Sequence, residues 1–440
     1  MLKINNKNKT VSFYTLGCKV NQYETDIMIE EFRKNNYEIV DFNLKSDIYV
    51  INSCSVTNLS TRKTRQYLSK AKKLGGIVVL AGCYAQEVKD SEEIKNVDII
   101  IGNEEKKDIV KYIEEYIEKN PNVNNIEKVY KISNIRDVRK YTQNINLEKG
   151  INVRESIKIE DGCNNFCSYC IIPYLRGRVR SREINEIINE AKSLVKNGVG
   201  EVILVGIEIA SYGKDLDTSL NLIDVIEQVS QIEGLKRIRL GSIEPRVLTD
   251  ENIERLSKID KLCPHFHISV QSLDNEVLRR MNRKYDREFV FSRVDKIREY
   301  FKDPSFTCDI IVGFPGETNE EFENTIDGVK KIEFYEVHSF KYSKRKWTKA
   351  EKMENQVDGN IKNTRSEILI DLAKNLKLKY MNKYVGSKVP VLFESYKDGY
   401  LYGYTPNYIM VKVRGDEKLW GCQQEVELVS IEEELILGKL

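Results

Sequence analysis

Short β-branched runs alternate with longer amphipathic segments in two separate stretches of this 440-residue chain, which leaves few folds open. In residues 11–118 the runs are Val11–Leu16, Ile48–Asn52, Ile77–Ala81 and Val97–Ile101, with helical segments such as Asp26–Lys34 and Leu59–Leu74 between them. Strands joined through helices build a parallel sheet with helices on its faces. From Ser156 the pattern returns. Ser156–Glu160, Glu201–Val205, Arg237–Leu240, His265–Val270, Phe306–Val312 and Phe334–Phe340 read as strands. Ile184–Lys196, Asn221–Ile232, Asp250–Ile259, Arg287–Phe301 and Asn319–Lys331 read as helices. Six such units suit a partial (βα) barrel.

The cysteines fall at telling places in this frame. Cys18, Cys54 and Cys83 each follow a strand, 36 and 29 residues apart. That is close to one βαβ unit each time, so the three thiols should meet at the carboxyl edge, where parallel sheets bind ligands. Core cysteines would more often fall inside strands, and a three-cysteine metal site is the better reading. A second set lies in Asp161–Cys170, where Cys163, Cys167 and Cys170 stand within ten residues after the first barrel strand. Iron–sulfur clusters are held by thiolates, and three ligands leave one iron of a four-iron cluster uncapped. A reactive metal site keeps such an open position. No His or fourth Cys lies nearby to complete a zinc tetrahedron.

The loop and its flanks, from Cys163 through Pro173 and Tyr174 to Arg182, resemble the radical S-adenosylmethionine methylthiotransferases. Leu16-Gly17-Cys18, Asn52-Ser53-Cys54 and Ala81-Gly82-Cys83 look like the three cysteine motifs of that family's amino-terminal domain. The resemblance implies two 4Fe–4S clusters, one of which binds S-adenosylmethionine and cleaves it to a 5′-deoxyadenosyl radical. The other takes part in sulfur delivery. It also implies that Tyr169, Glu208, Glu244, Gln271, Gly313 and Gly316 surround the cofactor. There Glu208 or Glu244 would hold its ammonium or ribose hydroxyls, and the two glycines would admit the adenine. The chain departs from the family pattern at Leu273, where Gly is usual, and at Arg345-Lys346-Trp347-Thr348-Lys349.

The expected organisation is a methylthiotransferase α/β domain (1–118), a linker (119–150) with at most a short strand near Lys128–Ile132, and the barrel (151–360). A connecting helix (361–385) and a small β-barrel (386–440) resembling the RNA-binding TRAM module complete it. Strand-like runs there are Val389–Glu394, Gly399–Tyr404, Tyr408–Val413 and Glu425–Ile431. From Ser387 onward six basic and nine acidic residues give −3, so RNA binding by this module would lean on stacking by Tyr400, Tyr402 or Tyr408. Cys263, Cys308, Cys422 and the three histidines lack ligand spacing and read as structural.

A net charge of +2 announces no nucleic-acid partner, but the basic residues are clustered. Thr61–Lys73 holds six (Arg62, Lys63, Arg65, Lys70, Lys72, Lys73) and no acid. Arg176, Arg178, Arg180 and Arg182 follow the cysteine loop, and Lys341–Lys349 adds five more. Such patches bind phosphate locally, or are merely solvated faces. The amino terminus has no apolar h-region and no run is long enough to cross a bilayer. With an odd cysteine count, this predicts a cytoplasmic protein.

Within the family, the residues around Cys18, Cys54 and Cys83 look most like the branch acting on threonylcarbamoyl-adenosine 37 of tRNA. The implied partner is the tRNA anticodon stem-loop, with an electron donor and a sulfur source besides. Lys19 and Arg176 are candidate cations for the threonylcarbamoyl carboxylate. The alternatives are an isopentenyl-adenosine tRNA, a ribosomal-protein aspartate, or a non-catalytic iron–sulfur RNA-binding protein.

Overall fold

The computed structural model describes residues 9–89, 94–120, 128–142 and 152–440. Its chain divides into two units. One comprises Met1–Leu147, Asp161–Asn165 and Cys170–Arg180, and the other Glu148–Glu160, Phe166–Tyr169 and Ser181–Leu440.

The first unit runs β1 (Thr10–Thr15), α1 (Lys19–Lys34), β2 (Glu38–Ile39), β3 (Ile48–Ser53), α2 (Asn58–Leu74), β4 (Ile77–Gly82), α3 (Cys83–Glu87), β5 (Ile99–Ile101), α4 (Ile109–Lys119) and β6 (Val129–Lys131). All six strands are parallel, in the order β2-β1-β3-β4-β5-β6. Every residue of β3 is buried, as suits a central parallel strand covered on both faces. Alternate residues serve opposite cores: Ile48 and Val50 pack with Phe32, Ile99 and Ile113, while Tyr49 and Ile51 pack with Leu68, Val78 and Leu80.

One of these elements differs from the sequence reading. Helix α1 starts at Lys19 rather than Asp26, because buried Asn21, Glu24 and Thr25 interrupt the apolar stripe carried by Val20, Tyr23, Met28 and Phe32. The short strand expected near Lys128–Ile132 is β6, which joins the sheet edge, while residues 121–127 and 143–150 of that linker lie outside the described ones. The two-residue strands β8 (Glu160–Asp161) and β9 (Arg180–Ser181) fall where the chain leaves and re-enters the second unit. Between them α5 (Ile172–Arg176) belongs to the first unit.

In the second unit, β7 (Arg154–Lys158), β10 (Glu201–Val205) and β11 (Arg237–Leu240) pair in parallel, as do β12 (His265–Gln271), β13 (Ser305–Val312) and β14 (Glu336–Lys341). Parallel bridges Ile238–Leu262 and Ile243–Ile268 connect the two sets, giving the partial barrel. Its helices are α6 (Ile184–Lys196), α7 (Leu222–Ser230), α8 (Asp250–Ser257), α9 (Asn275–Arg280), α10 (Arg287–Tyr300) and α11 (Asn319–Ile332). Helix α12 (Gly359–Asn382) leads to a closed barrel of β15 (Lys388–Lys397), β16 (Tyr400–Tyr404), β17 (Met410–Arg414), β18 (Gln423–Glu432) and β19 (Leu435–Lys439). The closing strand β19 was missed because the acid run Glu432–Glu434 breaks its hairpin pattern.

The terminal barrel is fastened to the amino-terminal ends of the first barrel strands. Arg237 donates from Nη1 to the Tyr404 carbonyl (2.7 Å) and from Nη2 to the Pro390 carbonyl (3.0 Å). Tyr408 does not stand out as a base-stacking platform, since it stacks on His265 (4.5 Å) and Tyr404 (4.8 Å) beneath Arg239. Tyr400 lies under Lys412, and Tyr402 is half-buried on β16.

Candidate active site

In the first unit Cys18, Cys54 and Cys83 follow β1, β3 and β4, three neighbouring strands. Close backbone approach requires two glycines beside them. A Cβ on Gly17 (φ +113°) would lie 2.8 Å from Cys54 Cβ, and one on Gly82 (φ +92°) 2.6 Å from Asn52 Oδ1. Burial and then the neighbouring Cys83 push the Cys54 thiol up to about 12, so it rests protonated and a metal must displace the proton. The Val56 N–H already points at Cys54 Sγ (3.4 Å) and Asn103 Nδ2 toward Cys83 Sγ (3.9 Å). Among the described residues no group of three His, Cys, Asp or Glu side chains is close enough to grip one metal ion. A four-iron cluster ties each thiolate to a different iron and so asks for a wider spacing than a single ion does.

Behind this edge lies a buried polar network that the sequence did not announce. Glu24 receives Arg176 Nη1 (2.5 Å) and Lys106 Nζ (2.5 Å), while Arg176 also reaches Asn21 Oδ1 (2.8 Å) and Asp161 (3.2 Å). Asn21 in turn donates to the carbonyls of Leu16 (2.7 Å) and Ser53 (2.9 Å), tying the ends of β1 and β3 together. Arg176 is 0% exposed, so it positions the cysteine edge rather than presenting a cation to a ligand. Arg180 and Arg182 are likewise buried, on Asp161 and Glu190, and Arg178 is the exposed member of that patch. Lys19, by contrast, is exposed on the first turn of α1, directly after Cys18.

The residues of the second cysteine set are divided between the two units. In the first unit the Cys163 N–H donates to the Gly177 carbonyl (3.1 Å) and the Asn165 N–H to Cys163 Sγ (3.4 Å). Gly162 (φ +84°) is obligatory, since a Cβ there would meet the Arg178 carbonyl oxygen at 1.9 Å. Cys170 belongs to this unit too and is partly exposed. In the second unit Ser168 is pinned to the Met281 carbonyl (3.0 Å), the Arg280 carbonyl (2.8 Å) and the Ala350 N–H (2.8 Å). Arg283 Nη1 donates to Cys167 Sγ (3.3 Å). Sulfurs that already receive hydrogen bonds suit cluster ligands.

At the carboxyl ends of the second unit's strands stand the residues expected around the cofactor. Burial and then Glu244 push the Glu208 carboxyl up to about 7, so a cation placed beside Glu208 would stabilise its carboxylate. That fits an ammonium or sulfonium. The Glu208 N–H donates to Glu160 Oε2 (2.7 Å), and Glu244 holds Arg246 Nε (2.8 Å). Gln271 adopts φ +66°, an unusual left-handed conformation for its type. The N–H of Gly313 donates to Glu317 Oε2 (2.6 Å), which Arg365 also grips (2.6 Å), and the Gly316 N–H donates to the Asn355 carbonyl (2.8 Å). Tyr169 packs beside Val277, Met281 and Phe314. Arg345 and Thr348 are buried, whereas Trp347 is 48% exposed at φ +68°.

The departure at Leu273 has a structural counterpart. Leu273 is fully buried, and Gly328 in α11 makes room for it: a Cβ at 328 would lie 2.7 Å from Leu273 Cβ. Gly→Ala inside a helix ordinarily gains up to about 1 kcal/mol. Here Gly328→Ala should instead cost about 1–3 kcal/mol through overpacking. Urea unfolding of that variant, and of the same change made in a Leu273→Gly background, checks this. Without a Cβ at 273, Gly328→Ala should no longer destabilise.

Residues 157–329 match the model for the radical SAM superfamily, and residues 10–102 that for uncharacterized protein family UPF0004. Threonylcarbamoyladenosine tRNA methylthiotransferase MtaB of Bacillus subtilis (strain 168) is 39% identical over 96% of this chain and 94% of its own length. The chain belongs to the radical SAM methylthiotransferase family. The relative of that same name from Thermotoga maritima is 36% identical over 98% of the chain and 96% of its own length. Another family member, the tRNA-2-methylthio-N(6)-dimethylallyladenosine synthase of Clostridium botulinum (strain Loch Maree / Type A3), is 34% identical over 94% and 93%. Among solved structures, the radical S-adenosylmethionine methyltransferase TsrM from Kitasatospora setae, with cobalamin and a [4Fe-4S] cluster bound, shares the fold. Its TM-score is 0.57 at 14% identity, over 78% of this chain and 77% of that one. The cofactors of the family are S-adenosylmethionine and 4Fe–4S clusters.

Proposed function

We propose that this chain replaces the C2–H of threonylcarbamoyl-adenosine 37 in tRNA by a methylthio group. The observation that carries the reading is the near full-length agreement with curated relatives of that named activity, in a chain bearing two separate three-cysteine sets. Cys163, Cys167 and Cys170 would hold one cluster and Cys18, Cys54 and Cys83 the other. A hydrogen on an aromatic carbon is not acidic enough for side-chain bases, and the bound cofactors supply the one-electron chemistry it needs. The protein's own residues hold and orient. Arg283 steadies the Cys167 sulfur, and Glu208 with Glu244 offers paired carboxyls to a cationic cofactor group. Tyr169, Gln271, Gly313 and Gly316 would line the remainder of that cofactor site.

For the substrate, an anticodon loop is where a base is readily splayed into a protein site. Lys19, exposed beside Cys18, is the cation we assign to the threonylcarbamoyl carboxylate, which an apolar pocket would strand at a cost of several kcal/mol. The reaction also consumes reducing electrons, a sulfur atom and a methyl group; S-adenosylmethionine would supply the methyl, so an electron donor and a sulfur source are the further partners required. No helix among the described residues is long and apolar enough to cross a membrane, in keeping with work on tRNA in the cytoplasm. The second reading, dimethylallyl-adenosine tRNA, is favoured by the relatives named for it.

A competition between tRNAs carrying one modification or the other, followed by mass spectrometry of the nucleosides, separates the two. Methylthiolation should appear on the threonylcarbamoyl tRNA. Product on the other tRNA alone would overturn the substrate assignment.

A further inference from the structure

We infer that the exposed face of α2 is a track for the RNA phosphate backbone, running away from the Cys54 edge along the side of the first unit. The inference deepens the proposed function and rests on its reading of RNA as substrate. Helix α2 begins four residues after Cys54, with the Thr57 hydroxyl capping it through the Ser60 N–H (3.2 Å). Its 17 residues carry six bases and no acid, and at 1.5 Å per residue they span about 25 Å.

The helix is one-sided. Thr64, Leu68 and Ala71 are buried against the sheet, and the opposite face lines an open groove that includes Arg62, Arg65, Gln66 and Lys73. Folded proteins commonly neutralise such faces with acids three or four residues away, and here there are none. Among the described residues the only ion pair of α2 is Lys72–Asp98 (2.7 Å). Lys70 donates to Asn43 and Arg65 to Tyr84, while Arg62, Lys63 and Lys73 are exposed and make no ion pair among the described residues. Val56 and Leu59, 50% and 61% exposed, stand between Cys54 and the first of these cations. An apolar contact next to the cysteine edge followed by a line of cations matches a base and the backbone that leaves it. The terminal barrel, at −3, offers no comparable charge.

The test is fluorescence anisotropy of a labelled anticodon stem-loop with anaerobically reconstituted full-length protein, over a range of salt. Replacing Arg62, Lys63 and Lys73 together by Gln should weaken binding at least tenfold at low salt. The slope of log K against log salt should become shallower by about two, near 0.7 for each lost phosphate contact. The charge-preserving R62K/K63R/K73R variant should keep the slope, and thermal melting should be unchanged in both because these side chains are exposed. Unchanged slope and affinity in the Gln variant, with the unaltered protein binding RNA well, would overturn the placement alone. No binding by the unaltered protein would overturn both the track and the RNA reading beneath it. Competition by acidic protein without any by RNA would assign the face to a different partner.

Discussion

Replacing Cys18, Cys54 and Cys83 together by alanine should remove roughly four of about eight irons from the anaerobically reconstituted protein. It should also abolish methylthio product while leaving 5′-deoxyadenosine formation intact. The two cysteine sets are separate in sequence, and each has its own supports: the glycines and Asn21 beneath the first, Gly162, Ser168 and Arg283 around the second. The fold of the first unit should survive, because β1, β3 and β4 are held by ladder hydrogen bonds between two apolar cores that the thiols do not build. Replacing Cys163, Cys167 and Cys170 should remove the other half of the iron and stop 5′-deoxyadenosine formation altogether. Iron and acid-labile sulfide analysis with product chromatography reads both. Iron falling to near zero in either triple variant, or staying unchanged, would sink the two-site assignment.

Much of this arrangement was legible because a parallel sheet converts regular spacing into proximity. Cys54 and Cys83, 29 residues apart, follow strands that pair residue for residue from Ile48–Ile77 to Ser53–Gly82. What was not legible were interactions whose partners lie far apart in the chain. Arg176 stands in an arginine-rich stretch and reads as a surface cation, yet its partner Glu24 is 152 residues away. Glu24 itself lies in a segment too polar to read as helix, since its carboxylate is buried by two cations rather than by apolar neighbours. Tyr408 likewise looked like an RNA platform because local pattern cannot reveal that His265 and Arg239 already occupy its faces. The exchange of Leu273 for the usual Gly was visible, but its compensation at Gly328 was not.

The largest stability effect expected in the second unit comes from Glu201, at the amino-terminal end of β10. Its carboxylate, 0% exposed, receives Arg239 Nε at 2.7 Å and Nη2 at 3.2 Å, with Arg154 Nε at 3.3 Å and Arg237 Nη1 at 4.0 Å. Those arginines reach on into the terminal barrel: Arg239 to the Pro406 carbonyl (3.1 Å) and Arg154 to Glu394 (2.5 Å). Glu201→Ala would leave three guanidiniums crowded in a buried place with one acid fewer. The expected cost is about 3–5 kcal/mol, as for breaking a buried pair by removing one partner. Glu201→Gln should cost less, because the amide oxygen still accepts a hydrogen bond. Burial opposes ionisation here, yet Arg239, Arg154 and Arg237 together hold Glu201 below its ordinary value. A carboxyl whose folded pKa is depressed contributes stability that is complete above its unfolded pKa, about 4.3, and is lost as pH falls below it. Urea midpoints of the unaltered protein should therefore hold between pH 6 and pH 5 and drop as pH falls below about 4.3, and the Gln variant should drop less. Limited proteolysis gives a second reading, because a loosened network should expose the chain between α12 and β15 to cleavage. A Glu201→Ala variant that unfolds within 1 kcal/mol of the parent and resists cleavage there would show that the terminal barrel is held by its apolar contacts alone.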